Sequence, residues 1–202
     1  YADSAAILLD RGDLPRAREN IGLILSLIDR IGAIGRHLRN AARKPNQRLS
    51  PIALPALLEE TQVIVAGRLA AADAVLELDL PPDLPPVMAG ATRLQQVLVN
   101  LVTNAADAVE GLTDRRITLS ARASGSRVTI RVRDRGPGVA PAIAERIFDP
   151  FFTTKGVGLG LGLSISYNIV KDFGGEITLR NTAPGAEFTV TLPAALPAEA
   201  AA

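Results

Sequence analysis

Residues 134–138 read Asp-Arg-Gly-Pro-Gly, and residues 158–163 read Gly-Leu-Gly-Leu-Gly-Leu immediately before a helical pattern. Glycine lets a backbone approach a ligand closely, and the free amides at the start of a helix attract anions such as phosphate. A carboxylate beside such a turn can accept a hydrogen bond from an amino group, such as that of adenine. Together the two stretches predict a cleft that binds a nucleotide.

The composition limits the classes of protein to which the chain can belong. Its 202 residues are 48% hydrophobic, which is enough for a domain with a core and a short extension. The 22 basic and 21 acidic residues leave a net charge of +1, so no nucleic-acid partner is expected. Cysteine is absent, which excludes disulfides and thiolate metal sites. No apolar run reaches the roughly 20 residues that span a bilayer.

The first 47 residues carry a heptad pattern. Residues 1–10 are predicted to be the end of one helix, and 11–15 to be a turn. Apolar or small residues then recur at alternating spacings of four and three, at Ala17, Ile21, Ile24, Ile28, Ile31, Gly35, Leu38 and Ala42. This pattern predicts a helical hairpin over residues 1–47 with too little material for its own core. We therefore expect a homodimer in which this seam packs against a second copy.

Residues 48–195 are predicted to form a second domain that mixes helices with antiparallel strands. The apolar periodicity predicts helices at 56–72, 91–110 and about 160–173. Alternation predicts strands at 75–80, 116–122, 127–133, 176–180 and 186–192. The predicted fold class is thus α+β, with an N-terminal helical hairpin followed by an α/β sandwich. Residues 196–202 are low in complexity and are predicted to be a disordered tail.

Three polar side chains fall on one face of the helix predicted at 91–110. Asn100 and Asn104 are four residues apart, and Asp107 lies about one turn beyond. Carboxamide oxygens suit Mg²⁺, which binds a few protein oxygens together with substrate phosphates. Alternatively, the asparagines only cap or solvate the helix. Asparagine is disfavoured inside helices, so two on one face favour a functional explanation.

The other candidates also have ordinary structural explanations. Asp134 follows a strand and could be a simple turn residue. Lys155 could reach a phosphate as a point charge or could be an ordinary surface lysine. The glycine repeat could serve helix packing or a hinge, although its position before a helix favours a phosphate-binding role. Three phenylalanines, Phe148, Phe151 and Phe152, are predicted to anchor a loop.

The order of these motifs is more specific than any one of them. Asn-x₃-Asn is followed by Asp-x-Gly-x-Gly, then by Phe-x-x-Phe-Phe around Asp149-Pro150, and then by Gly-x-Gly-x-Gly. In this order the chain resembles the sensor histidine kinases of two-component systems, in which these motifs are the N, G1, F and G2 boxes. The runs Asn-Ala-Ala-Asp-Ala and Phe-Phe-Thr-Thr-Lys resemble the nitrogen-regulator-like branch of these kinases, and residues 164–175 resemble in particular the C4-dicarboxylate transport sensor kinases.

The resemblance implies a site for ATP and Mg²⁺. Asn104 would coordinate the metal, with Asn100 beside it and the phosphates, and Asp134 would bind the adenine amino group. The residues that it assigns to ATP binding are Asn100, Asn104, Asp107, Asp134, Gly136, Gly138, Thr154, Lys155, Gly158, Leu159, Gly160, Leu161, Gly162, Leu163 and Thr189. Only Gly156 and Val157 separate Lys155 from Gly158, and this predicts a shorter lid than is usual in the family.

The resemblance also implies a phosphorelay. The γ-phosphoryl of ATP would pass to a histidine and then to an aspartate on the receiver domain of a response regulator. His37 lacks an adjacent acidic residue, so the phosphoacceptor histidine is expected upstream of Tyr1. No catalytic residue is expected within the chain. Any membrane segment is likewise expected upstream, which would make this chain a cytoplasmic part of a bacterial inner-membrane protein. The alternatives are a dimeric adaptor with a non-catalytic nucleotide-binding-like domain, or another ATPase with the same type of cleft.

Overall fold

The computed structural model describes residues 1–25, 49–155 and 159–195, and the chain divides into two compact units, Tyr1–Asn46 and Gln47–Ala202. In the first unit, helix α1 spans Ala2–Asp10, and helix α2 begins at residue 14 and is described as far as residue 25. Gly12 turns the chain between them with a φ of 74°. The predicted helical hairpin is therefore confirmed within the described residues.

Small side chains are buried where the two helices meet, whereas larger apolar side chains further along α2 are exposed. Ala5 and Ala17 are buried, and the Asn20 side chain donates a hydrogen bond of 3.1 Å to the Ser4 hydroxyl. Ile21 and Leu25, by contrast, are 41% and 58% exposed. The later seam positions and His37 lie outside the described residues, as does the tail at 196–202.

The second unit is built on a five-stranded sheet with the order β2-β4-β5-β7-β6. Strands β2 and β4 are parallel, and the other neighbours are antiparallel. The five strands are β2 (Val75–Asp79), β4 (Arg116–Ser124), β5 (Arg127–Arg133), β6 (Glu176–Asn181) and β7 (Ala186–Pro193). All five were predicted from alternation, and the mixed sheet confirms the α+β class.

Two short strands pair outside the main sheet. Strand β1 (Ser50–Ile52) lies antiparallel to β3 (Val87–Ala89). The sequence did not predict β3, because three residues are too few to show a period. It also did not predict α5 (Pro141–Ala144), which is one helical turn with a proline in its first turn.

Three helices form a layer on one face of the sheet: α3 (Leu54–Ala71), α4 (Ala91–Val109) and α6 (Gly162–Asp172). Helix α4 is central, since it contacts α3, α6, β4 and β5. Its buried side chains recur at helical spacing, from Leu94 through Leu101 to Val109. On β5, Val128, Ile130 and Val132 are buried against this layer.

Side chains along β5 alternate between the two faces of the sheet, so different residue types face the helices and the opposite side. Successive side chains of a strand point to opposite faces, so Arg131 and Arg133 lie on the face away from the helices. Asp134 follows on the same side as Val132 and is only 4% exposed. A shift of one residue along β5 would turn this carboxylate to the opposite face, so the register of the strand decides that it faces the helical layer.

Candidate nucleotide-binding site

Asp134 is held at the end of β5 by backbone hydrogen bonds. Its Oδ1 accepts from the Gly136 amide at 2.8 Å and from the Ala186 amide at 3.2 Å. No donor reaches Oδ2 from the described part of the chain, so that oxygen remains available for a ligand. Burial raises the pKa of this carboxyl, and the two backbone hydrogen bonds oppose the rise.

The turn after Asp134 lies directly against helix α4. A Cβ atom added to Gly136 would come within 2.8 Å of the Ala108 carbonyl oxygen and 3.0 Å of the Ala108 Cβ. Since real Cβ atoms do not approach backbone so closely, only glycine fits here. Gly138 has a φ of 77°, in the left-handed region that favours glycine. The turn thus brings the buried carboxylate next to the polar face of α4.

Two residues that the sequence analysis missed hold this turn from the sheet side. The Asn181 side chain accepts from the Val139 amide at 2.8 Å and donates to the Val139 carbonyl at 2.6 Å. At Gly185, where φ is 99°, an added Cβ would lie 1.9 Å from the Asp134 carbonyl oxygen. Both residues lie in or beside a predicted turn, where asparagine and glycine are common, so no pattern distinguished them.

The polar face of α4 meets the start of α6. The Asn100 amide nitrogen donates a hydrogen bond of 3.0 Å to the Ser166 hydroxyl. An added Cβ on Gly162, the first residue of α6, would lie 2.2 Å from Asn100 Oδ1. The first amides of a helix have no partner within it and carry a partial positive charge. The structure therefore places Asn100 beside a helix end that suits phosphate.

The segment before α6 is closely packed against the loop that carries the phenylalanines. Gly160 has a φ of 61°, and an added Cβ there would lie 2.3 Å from the Phe152 carbonyl oxygen. Phe148 packs against Tyr167 and Phe188, with ring centroids 5.7 Å and 6.5 Å apart. Phe148 and Phe152 thus anchor the loop as predicted, whereas Phe151 is 57% exposed.

Lys155 connects that loop to α4. Its ammonium group donates to Asn104 Oδ1 at 3.1 Å and forms a close ion pair with the Asp107 carboxylate. On the other side of Asp107, Arg68 donates from its Nε to Oδ1 at 2.7 Å, and its Nη2 lies 2.5 Å from Glu110 Oε2. Arg68 lies on α3, 39 residues from Asp107, so the sequence offered no signal for this contact.

The charge state of Asp107 follows from these partners. Burial alone would raise the pKa of Asp107, but the hydrogen bonds from Lys155 and Arg68 outweigh it and lower the pKa. The carboxylate is therefore ionised near neutral pH. Its negative charge is shared between the two cations Lys155 and Arg68.

The donor set can be tested against a magnesium ion. Within the described ranges, no three His, Cys, Asp or Glu side chains lie close enough to hold a metal. Asn104 Oδ1 and Asp107, however, are hard oxygen ligands that already face one cation, the Lys155 ammonium. These residues fit an ion that takes one or two protein oxygens and completes its shell with phosphates and water.

One predicted site residue is not brought to this cleft. Thr189 lies on β7 between the buried Phe188 and Val190, so its side chain is on the face away from α4. In the sheet it pairs with Arg131 and Thr178. The structure therefore does not bring the Thr189 side chain to the cleft, and its assignment to ATP binding stays a prediction.

The remaining predicted residues lie in the segment between the loop and α6. Leu159 and Gly160 are partly buried, Leu161 is buried at the N-cap of α6, and Leu163 packs on the core. Thr154 is exposed beside Lys155, and Gly158 lies outside the described residues. The structure thus brings the N-box face, the Asp134 turn and the start of α6 around one cleft.

Comparison with known proteins agrees with this geometry. The sequence pattern of the "Histidine kinase-, DNA gyrase B-, and HSP90-like ATPase" family matches residues 89–196, which is more than half of the chain. The chain belongs to this ATPase family. The matched range contains every element of the cleft, from α4 to β7, and leaves the N-terminal hairpin outside this ATPase domain.

The relatives are sensor histidine kinases, as the motif order predicted. The chain is 38% identical to the C4-dicarboxylate transport sensor protein DctB of Rhizobium meliloti over 95% of its own length. That match covers 31% of the relative, and the second curated relative is likewise covered over 31% of its length. The chain therefore spans less than a third of these relatives.

Solved structures show the same ATPase fold. The catalytic domain of histidine kinase ThkA superposes with a TM-score of 0.65 at 32% identity, over 73% of this chain and 97% of that one. Full-length ShkA, solved in complex with AMPPNP, gives a TM-score of 0.72 at 29% identity, over 93% of this chain and 39% of that one. Among the described residues, no helix is both long and apolar enough to cross a membrane.

Proposed function

We propose that the chain is the ATP-binding catalytic core of a two-component sensor histidine kinase. The observation that carries the proposal is the convergence on α4. This helix contacts the start of α6 through Asn100, Lys155 through Asn104 and Asp107, and the turn after Asp134 through Ala108. The relative solved with AMPPNP has the same fold and supports an adenine nucleotide as the ligand.

In this proposal each part of the cleft has one task. Asp134 Oδ2 accepts the adenine amino group, and the G1 glycines leave room for the base. The phosphates lie against the first amides of α6, near Asn100 and Lys155. Asn104 would hold Mg²⁺, with Asp107 nearby. The ion would supply neutralisation of phosphate charge, and the residues would supply positioning, which dominates phosphoryl transfer.

The phosphoacceptor and the partner follow from the family. The γ-phosphoryl would pass to a histidine outside this chain and then to an aspartate of a response-regulator receiver domain. Residues 1–47 would belong to the dimerisation hairpin, 48–195 to the catalytic domain and 196–202 to a tail. The exposed Ile21, one of the heptad positions, fits a homodimer seam. The chain would be a cytoplasmic part of a longer sensor, joined to a membrane only by segments outside it.

The first test is isothermal titration of ADP into the chain with and without Mg²⁺. We expect binding that tightens with Mg²⁺, because Asn104 would hold the ion and the ion would supply neutralisation of the phosphate charge. Absence of binding would contradict the proposal and favour the non-catalytic adaptor. Light scattering over a range of concentrations tests the dimer, and a monomer at every concentration would contradict that part.

A second experiment separates the kinase from another ATPase with the same cleft. Incubation of the full-length protein with γ-labelled ATP should give acid-labile, base-stable label on a histidine, whereas the present chain alone should remain unlabelled. Release of free phosphate without labelled protein would favour a plain ATPase. Acid-labile label on His37 would show that the phosphoacceptor lies within the chain.

A further inference from the structure

The sheet face opposite the helices carries a concentration of arginine, which we call the arginine face. A cavity of about 390 Å³ lies on it and is lined by Arg122, Arg131, Arg133, Arg135 and Arg180. The lining carboxylates are Asp79 and Glu187, so five positive and two negative charges leave the cavity at +3. The whole chain has a net charge of only +1. The excess is therefore local to this face, on the side away from the nucleotide cleft.

The outer arginines of this face are neutralised within the sheet. Arg122 forms an ion pair of 2.5 Å with Asp79, and Arg180 forms one of 3.0 Å with Glu187. Arg135 lies 4.0 Å from Asp114, at the limit of an ion pair. The first two are ordinary cross-strand pairs of a solvated sheet, the third joins residues just outside the strands, and none of them by itself requires a ligand.

The central arginines differ from the outer ones. Arg131 and Arg133 lie on β5, the third of the five strands. In the described part of the chain neither side chain makes a hydrogen bond or an ion pair, and the buried Arg133 Nε has no acceptor. A buried donor without an acceptor is destabilising, more so if it is charged. The Glu187 carboxylate lies opposite Arg133 on β7, but it pairs with Arg180. The two central guanidinium groups thus lack anionic acceptors of their own.

The distance between Arg131 and Arg133 indicates what kind of anion could pair with both side chains. Arg131 and Arg133 are alternate residues of one strand, so their Cα atoms are about 6.8 Å apart. Alternate side chains of any extended peptide repeat at the same distance. The neighbouring strands place Thr118 and Glu187 on either side of Arg133, and Ser120 and Thr189 on either side of Arg131. Three of these four neighbours carry hydroxyl groups. These hydroxyls add donors without adding negative charge.

We propose that the arginine face is a docking surface for an extended acidic segment of a partner protein, with Asp or Glu at alternate positions. Two successive carboxylates would pair with Arg131 and Arg133, and the neighbouring hydroxyls would flank them. Guanidinium groups bind carboxylates in a planar, bidentate manner, which suits recognition of successive acidic side chains. A single phosphate group would pair with one arginine and leave the other unpaired. This charge complementarity favours a peptide over a small anion.

The test uses two fluorescent peptides of equal charge, one with Glu and Thr alternating and one with three Glu followed by three Thr. Fluorescence anisotropy with the wild-type chain should show tighter binding of the alternating peptide, and weaker binding as salt rises. Arg131→Glu should weaken the alternating peptide at least about tenfold, because it replaces an attraction with a like-charge contact. Arg131→Gln should weaken it less. Arg18→Glu, which changes the net charge equally in the first unit, should have no effect.

Each alternative outcome contradicts the proposal. Equal losses for Arg131→Glu and Arg18→Glu would show attraction to net charge only, and equal binding of the two peptides would exclude recognition of alternation. Binding of inorganic triphosphate that depends on Arg131, without peptide binding, would indicate a small-anion site. Saturating ADP should not compete with the peptide, because the cleft is on the other face of the sheet, and competition would also contradict the proposal. If circular dichroism shows that Arg131→Glu does not fold, Arg131→Gln decides the test.

Discussion

Replacement of Asp134 by asparagine would change one functional atom of the cleft while leaving the surrounding turn intact. Oδ1 accepts from two backbone amides, Gly136 and Ala186, and an asparagine oxygen can do the same. The amide cannot turn over without facing its own donors toward those two. The substitution therefore converts Oδ2, the oxygen that remains for a ligand, into an NH₂ group.

The expected loss of nucleotide affinity follows from two costs. A hydrogen bond to a charged acceptor contributes about 1.5–3 kcal/mol, and a buried donor left facing the adenine amino group costs about 1–3 kcal/mol. A combined loss of about 2.5–6 kcal/mol raises the dissociation constant by a factor on the order of 10² to 10⁴. Isothermal titration of ADP into wild-type and Asp134→Asn proteins measures this factor directly.

The free energy of unfolding should change in the opposite direction. The pKa of Asp134 is raised above its ordinary value of 3.8 because burial disfavours the carboxylate. The folded state then holds the proton more tightly than the unfolded chain. The stability contributed by this group is therefore complete below pH 3.8 and is lost as the pH rises through the folded-state pKa. At pH 7 the neutral asparagine should leave the melting temperature equal or higher.

These two readouts together test the reasoning. Unchanged affinity for ADP would refute the assignment of Asp134 to adenine. A weakened affinity accompanied by a much lower melting temperature would also refute it, because the loss would then come from a damaged turn rather than from one exchanged atom.

Three further substitutions test the supporting contacts. Gly162→Ala places a methyl group 2.2 Å from Asn100 Oδ1, so it should lower stability by about 1–3 kcal/mol in a urea titration and weaken ADP binding. Its control is Gly67→Ala in α3, where an added Cβ meets nothing within 4 Å. That substitution should raise stability by about 0.5–1 kcal/mol in the same titration. Asp107→Asn should lower the free energy of unfolding by about 1–3 kcal/mol at pH 7. The difference from wild type should shrink as the pH falls below 3.8, because the lowered pKa of Asp107 gives stability that is present above that value and lost on acidification. A difference that is constant between pH 7 and pH 3 would contradict the ion-pair account. Asn181→Ala removes two hydrogen bonds to the turn after Asp134 and should weaken ADP binding at least about tenfold. The far-ultraviolet circular dichroism should stay unchanged. Wild-type affinity for ADP would show that the turn keeps its conformation without Asn181.

Most of the architecture was predictable because long elements repeat their burial pattern many times. Helix α4 shows its apolar face over 19 residues, and β5 alternates over seven. Strand β3 and helix α5 were missed because three or four residues contain no full period. Local turn chemistry likewise indicated where the chain reverses, at Gly12 and at Gly125.

The site was predictable only where a local pattern carried it. Asn100, Asn104 and Asp107 share a face because of helical spacing alone, so the sequence indicated one polar face before any contact was known. Thr189 was predicted from its motif position, which does not indicate the face of the sheet on which β7 presents its side chain. Arg68, Asn181 and Gly185 escaped detection, since each acts on a residue at least 39 positions away.

The sequence by itself determined the elements, their apolar faces and the order of the nucleotide-binding motifs. These follow from the periods of helices and strands and from the backbone freedom of glycine, which are local properties. The tertiary structure decided which side chains meet: that Asp134 turns toward α4 while Arg133 turns away, and that Lys155 and Arg68 share one carboxylate. Such contacts depend on strand register and on packing between distant segments, and neither can be read from the local spacing of residues.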